Sequence, residues 1–286
     1  MKALCLVAHP DDETVLCGGA LALLAERGLA VHVACLTRGE GGELGEPPLT
    51  DRQGLGGVRE GEMVCAVGKL GGKSLTFLGY VDPTVGPDDK LFAPEHNLTI
   101  LAGQIVSTIQ QFKADVVLTH GSNGEYGHPA HLLLHQMTLA AVASLRHEAG
   151  EHVGVNLGVD PLLGEHVGSG EHVGSGEHVG SGEHVGSGEH MGSPLLYTFA
   201  ASFPEHPYPR LTNKDDAADI LLDVTPVLGK KEAAALCHKT QHALFIRRRS
   251  QELGRPITVR EALLPVEGLH RLFGQPGDAL SRLLTG

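Results

Sequence analysis

The sequence contains no tryptophan, and its aromatic residues amount to only 4% of 286 positions. It also lacks positive charge in excess. With 22 Lys and Arg against 34 Asp and Glu, the formal net charge is −12. No electrostatic footprint is therefore present for a nucleic-acid backbone or an anionic membrane surface. The apolar run at the N-terminus, Met1 to Ala8, is too short to span a bilayer. It passes at once into polar sequence without a cleavage pattern, which does not fit a leader peptide. The five cysteines (Cys5, Cys17, Cys35, Cys65 and Cys237) are odd in number, with no CxxC pair. The placement of three of them in apolar strand or helix patterns predicts buried free thiols and a reducing, cytoplasmic setting. A Gly-rich phosphate turn is missing after the first strand, which argues against a dinucleotide-binding protein.

What is present is ordinary globular composition, 41% apolar and 20% charged, in a chain long enough for one large α/β domain. Buried-strand patterns at residues 2–8, 30–36, 74–78 and 115–119 alternate with helical spacing at 15–27, 58–70 and 97–112. Such alternation predicts βαβ units: a Rossmann-like, mostly parallel sheet with helices on both faces. Further on, 194–200 reads as a strand, 219–224 as an apolar run and 230–242 as a helix, and the tail after 250 is helical in composition. In such sheets ligands bind at the carboxyl ends of the strands. Three of those ends run into polar, Gly-rich or His-rich segments: 9–12, 38–43 and 120–131. The active site is expected there.

One stretch stands apart. Gly-Glu-His-Val-Gly-Ser recurs four times from residue 164, then once more with Met191 in place of Val. Each unit offers one His and one Glu, so metal capture is chemically feasible. Two glycines and a serine per unit leave too little apolar surface to offset chain entropy. The segment at about 150–193 therefore reads as a low-complexity, flexible insertion in a single domain spanning 1–286.

The chemistry-bearing residues form two clusters. His9, Asp11 and Asp12 lie on a turn directly after the first strand. His128 and His131 are three apart at the start of a helix, which gives them a common face. Two His and one carboxylate around a point form a catalytic zinc set with a position left for water, and the same set suits ferrous iron. Alone, each cluster reads more often as a hydrogen-bonded surface histidine or a turn-forming Asp pair than as a ligand set. Their placement at two strand ends favours function.

Ala8-His9-Pro10-Asp11-Asp12-Glu13 and His128-Pro129-Ala130-His131 resemble the two signature motifs of the PIG-L/LmbE family of N-acetylglucosaminyl deacetylases. The likeness extends through Leu55 to Arg59, Leu78 to Tyr80 and Lys231 to Gln241. It implies one zinc ion on His9, Asp12 and His131, with Asp11 as general base. It implies that His128 stabilises the oxyanion or serves as acid, that Tyr126 polarises the substrate carbonyl, and that Arg59 contacts the sugar. His238 and Gln241 match a late His-x-x-Gln of the family that lines the substrate pocket; a satisfied helix histidine is the alternative. The expected partner is a small amino-sugar conjugate losing an acetyl group, with no nucleic acid and no membrane; a homo-oligomer is compatible with the sequence. The family often carries Asp where this chain has Ala130, which leaves His128 without that partner unless Glu125 or His120 replaces it. A metal-binding protein that uses the His/Glu repeat, without hydrolase activity, is the competing reading.

Deletion of 164–193 separates the two. The enzyme reading predicts near-normal turnover and one tightly held ion in the folded deletion variant. Loss of most bound metal, measured by elemental analysis, would favour the repeat.

Overall fold

A computed structural model describes residues 1–151 and 193–285. Most of the expected insertion, and with it the flexibility expected of the repeat, lies outside the described residues. Along the chain run β1 (Lys2–Val7), α1 (Asp12–Val15), α2 (Gly18–Glu26), β2 (Ala30–Thr37), α3 (Leu55–Leu70), β3 (Ser74–Tyr80), α4 (Leu98–Phe112) and β4 (Val116–Thr119). They are followed by α5 (Gly124–Gly127), α6 (Pro129–Glu148), β5 (Leu195–Thr198), β6 (Ala201–Ser202), β7 (Asn213–Ala217) and β8 (Ile220–Asp223). The last elements are α7 (Leu228–Ala235), α8 (His242–Leu253), α9 (Val259–Ala262), β9 (Val266–Phe273) and α10 (Ala279–Thr285).

Seven strands form one sheet in the order β3-β2-β1-β4-β5-β9-β8. The first five are parallel, and β9 and β8 close the far side as antiparallel strands. The α/β, Rossmann-like, mostly parallel architecture expected from the sequence is the one observed. β1 shows why helices cover both faces. Ala3, Cys5 and Val7 pack with α2, α3, α7 and α10 on one side. Leu4, Leu6 and Ala8 pack with α4 and α6 on the other. Alternate side chains of a strand point to opposite faces, so a strand buried on both must be apolar throughout.

Chain order reverses between β1 and β4: β2 and β3 lie to one side of β1, β4 and β5 to the other. A crevice opens at such a switch point, outside the carboxyl ends of the two strands. The His9–Asp12 turn leaves β1 there, and the His120–His131 segment leaves β4.

Three details depart from the sequence reading. The helix expected over 230–242 ends at Ala235, and after a break around His238 a new helix starts at His242. The tail is not all helical: β9 is an inner strand of the sheet, and its Val266-Glu267-Gly268-Leu269-His270-Arg271-Leu272-Phe273 has no clean period-two pattern to betray it. The cysteines also divide. Cys5, Cys17 and Cys35 are buried free thiols, but Cys65 and Cys237 form a disulfide with a Cα–Cα distance of 5.8 Å. It ties α3 to the chain just beyond α7, and it removes the ground on which cysteine usage pointed to a reducing compartment. Among the described residues no helix is long and apolar enough to cross a membrane.

α7 is fastened by a buried polar junction. Glu267 on β9 accepts hydrogen bonds from the Gly19 and Ala20 amides at 2.8 and 2.7 Å, and pairs with Lys231 Nζ at 2.6 Å. Its carboxylate thus supplies acceptors for the first orphan amides of α2 and a counter-charge for a buried ammonium. Glu267→Gln leaves that ammonium without its anion and is expected to lower stability by about 3–5 kcal/mol. Urea unfolding measures this; a midpoint equal to the parent's would contradict the role.

Candidate active site

The turn after β1 sends three successive carboxylates in different directions. Asp12 Oδ2 accepts the His9 amide at 2.9 Å, folding its side chain back towards that histidine. Glu13 is fully buried. Its Oε2 accepts the Asp11 amide at 3.0 Å, and its Oε1 lies 2.8 Å from His238 Nε2. Asp11 occupies the N-cap of α1 with φ 113° and ψ −30°, a conformation that costs a non-glycine residue on the order of 1–3 kcal/mol. Arg59, buried on α3, braces this turn: its guanidinium donates to Pro10 O at 2.5 Å, to Gly39 O at 2.9 Å and to Asp11 Oδ2 at 3.4 Å. Gly39, at φ +69°, is required there, since a Cβ would stand 2.3 Å from Arg59 Nη1.

The segment after β4 carries the imidazoles. His120 Nε2 accepts the Ala8 amide at 3.0 Å, so its Nδ1 holds the proton and donates to Glu125 Oε2 at 2.9 Å. His131 Nδ1 donates to the same oxygen at 2.6 Å. Glu125 is completed by the Gly121 amide and Asn213 Nδ2 on its other oxygen. Burial opposes its charge, but His120 and His131 outweigh burial and hold the carboxyl well below the usual range. With Nδ1 committed to Glu125, His131 turns its Nε2 to the site, where a proton or a metal ion can be held.

That atom lies 3.3 Å from His9 Nδ1 and 3.4 Å from Asp12 Oδ2, and His9 Nδ1 is itself 3.4 Å from Asp12 Oδ2. Three ligands about 2.1 Å from a tetrahedral ion stand roughly 3.4 Å apart, so the triangle has the edge length of a metal site. Its electrostatics agree. Burial disfavours a charged His131, yet Asp12 and Glu125 overcome burial and push its pKa up to about 10; the centre of the triangle calls for a cation. Metal-ligating atoms of His9, His128 and His131, and of Asp12, His120 and His131, lie within 4.8 Å of one another. His120 is excluded as a ligand because both of its nitrogens are engaged. His9 Nε2, on the outer side of its ring, is 3.3 Å from Asp82 Oδ1.

His128 stacks on His131 with ring centroids 4.6 Å apart. It is the N-cap of α6, and its Nδ1 accepts the Ala130 amide at 3.2 Å. Burial first, then the neighbouring His9 and His131, lower its pKa to about 3. It is a neutral imidazole with its proton on Nε2. Glu125 and His120 do not replace the missing Asp beside it, since Glu125 is engaged with His120 and His131 and both nitrogens of His120 are taken by Ala8 and Glu125. Ala130 is itself buried among the apolar residues between β1 and α6. Tyr126 is half-exposed, edge-on to His128 and His131 at 5.7 and 5.5 Å. Asp11 is raised to about 6, chiefly by burial and against the pull of Arg59.

The nine residues expected from the sequence thus divide. His9, Asp11, Asp12, Tyr126, His128 and His131 gather at the switch point. Arg59, His238 and Gln241 stand behind it, buried and turned to protein partners; Gln241 donates to Glu43 O at 3.1 Å. Asp82 escaped the sequence reading, as did the contacts of Glu13. Asp82 follows β3, a fourth parallel strand, and the strand-end rule applied to 80–83 would have flagged it.

Residues 4–142 match the family model described as PIG-L, GlcNAc-PI de-N-acetylase. Over that span, just under half of the chain, it is similar to a PIG-L domain. Both motifs of the site lie inside that match. A 1D-myo-inositol 2-acetamido-2-deoxy-alpha-D-glucopyranoside deacetylase of Catenulispora acidiphila is 32% identical over 170 residues, 53% of this chain and 47% of the relative. One from Rhodococcus jostii is 36% identical over 157 residues, 49% of this chain and 53% of the relative. The chain spans about half the length of the curated relatives it matches. Two solved structures share the fold of this chain across 96% of its length. They are N,N'-diacetylchitobiose deacetylase from Pyrococcus horikoshii (TM-score 0.56, 17% identity, 84% of that chain) and GalB, the 4-carboxy-2-hydroxymuconate hydratase of Pseudomonas putida (TM-score 0.55, 22% identity, 97% of that chain). One fold carrying a deacetylase and a hydratase leaves the reaction to be argued from the site.

Glu125→Gln removes the charge that fixes the proton on His131 Nδ1. It is expected to weaken metal affinity by about 10–100-fold, read by chelator competition. Unchanged affinity in a folded variant would contradict the role given to Glu125.

Proposed function

We propose that the protein is a zinc-dependent de-N-acetylase that hydrolyses the acetamide of an N-acetylglucosamine-type conjugate. The observation that carries this reading is the triangle of His9 Nδ1, Asp12 Oδ2 and His131 Nε2 with a second carboxylate, Asp11, next in sequence. Two imidazoles and a carboxylate suit zinc, and the same donors accept ferrous iron. When bound, the ion supplies Lewis acidity, which acidifies water and polarises a carbonyl.

Asp11, raised towards neutrality by burial, is suited to take a proton from the attacking water. Attack places negative charge on the former carbonyl oxygen. The Nε2–H of neutral His128 and the Tyr126 hydroxyl are donors for that charge, each worth about 3 kcal/mol where such a donor is preorganised. Asp11 then returns its proton to the departing nitrogen, and the products are acetate and the free amine. His128, neutral and bonded through Nδ1 to the Ala130 amide, acts as a donor of a hydrogen bond. Of the alternatives open from the sequence, oxyanion stabilisation therefore fits it better than acid catalysis. Arg59, His238 and Gln241, offered from the sequence as substrate contacts, fit better as supports of the turns that carry the site, because Arg59 Nη1 and Nη2, His238 Nε2 and Gln241 Nε2 are engaged with groups of the protein.

The relatives support the substrate class: the two deacetylases are named for a 2-acetamido sugar joined to inositol. A small amino-sugar conjugate is the class proposed here. The competing metal-storage reading turns on the repeat, which lies outside the described residues.

The test is release of free amine from a panel of N-acetylglucosamine conjugates. Release should stop on chelation and return with zinc, and Asp11→Ala should lower it by about 10²–10⁴-fold with metal content unchanged. Absence of release from every conjugate by the metal-loaded protein would sink the reading. Loss of metal from Asp11→Ala would make Asp11 a ligand and not the base.

A further inference from the structure

We propose that Glu13 and His238 form a positioning pair for Asp11, and that α3 sets the pair in place. The inference rests on the reading of Asp11 as the base. It starts from one peptide unit. The carbonyl of Pro10 accepts from Arg59 Nη2 at 2.5 Å, and the amide of Asp11, the other end of the same peptide, donates to Glu13 Oε2 at 3.0 Å. On the far side of the Asp11 Cα, its carbonyl accepts the Thr14 and Val15 amides at 3.0 and 2.9 Å. Both peptide planes that flank Asp11 are therefore fixed. A residue between two fixed planes has no freedom left in φ or ψ, and here φ is held at 113°. The direction of the Asp11 side chain is the consequence.

Glu13 serves as this anchor only if it is itself immobile. Its Oε1 accepts the Thr14 hydroxyl at 2.6 Å and lies 2.8 Å from His238 Nε2. Both Glu13 and His238 are fully buried. A buried carboxylate is costly unless paired and hydrogen-bonded, and an apolar residue would fill the space without that penalty. The pair gives what an apolar residue does not, an acceptor aimed at the Asp11 amide.

His238 is held from both sides in sequence. Cys237 is disulfide-bonded to Cys65. Thr240 donates its amide and hydroxyl to Glu62 at 2.8 and 2.7 Å. Arg59, Glu62 and Cys65 are spaced three apart on α3, so they share one face of that helix. That face reaches Asp11 twice, directly through Arg59 and indirectly through His238 and Glu13. Neither Glu13 nor His238 touches the metal triangle; each acts through Asp11.

The test combines kinetics with amide exchange at Asp11 in the full chain. Misplacement of a reacting group by an ångström costs on the order of 10²-fold in rate. His238→Leu and Glu13→Gln are each expected to lower kcat to about that extent, with KM within about threefold and metal content unchanged. The Asp11 amide, read by NMR, should exchange faster in both. His238→Gln, which keeps an N–H donor for Glu13, should recover most of kcat and slow the exchange again. Glu13→Gln preserves volume and carries the test alone if His238→Leu does not fold. Unchanged exchange in the variants overturns the proposal, as does faster exchange with unchanged kcat, or a rise in KM alone. A parent protein that releases no amine contradicts the proposed function. The exchange rates then decide the clamp separately, with faster exchange upholding it and unchanged exchange overturning it.

Discussion

Two imidazole nitrogens and a carboxylate oxygen held 3.3–3.4 Å apart repel one another unless positive charge stands among them. The packing around the switch point keeps these atoms close. Asp12 is folded back by the His9 amide, and His131 is fixed by Glu125, which is in turn held by His120, Gly121 and Asn213. No single bond in this set adds much net stability, since each replaces a bond to water. Burial makes them matter: a donor or acceptor left unpaired there would be expensive, so the network is satisfied as a whole or not at all.

The sheet explains why the parts meet. β1 and β4 are neighbours at the point where chain order reverses, so the turn leaving one and the helix leaving the other face a common crevice. β2 and β3 contribute Gly39 and Asp82 from the same edge. α3 and α7 then support the turn from beneath, with Glu267 and Lys231 locking α7 against the sheet. Strain at Asp11 is tolerated because four hydrogen bonds around it over-determine the backbone.

The six residues that gather at the site were legible because each lies in a short motif at a strand end, where local sequence and sheet topology agree. The rest depended on contacts over long separations. His238 reads as an ordinary helix histidine until Glu13, 225 positions away, is placed against it. Cys65 and Cys237 are 172 residues apart, and an odd cysteine count gives no hint that two of them pair. Arg59 carries a charge that suggests a ligand, yet its hydrogen bonds go to backbone carbonyls and to Asp11. β9 was hidden for a different reason. Its buried positions do not alternate, because Glu267 and Gly268 serve α2, Lys231 and close packing against Ala201 in place of a continuous apolar face.

The most direct measurement is metal titration of the full chain followed by X-ray absorption at the metal edge. One ion per chain, bound by two imidazole nitrogens and a carboxylate oxygen and lost in Asp12→Ala, is the predicted result. Several ions per chain, in a shell unchanged by Asp12→Ala and abolished by removal of 164–193, would contradict it and place the metal chemistry in the repeat.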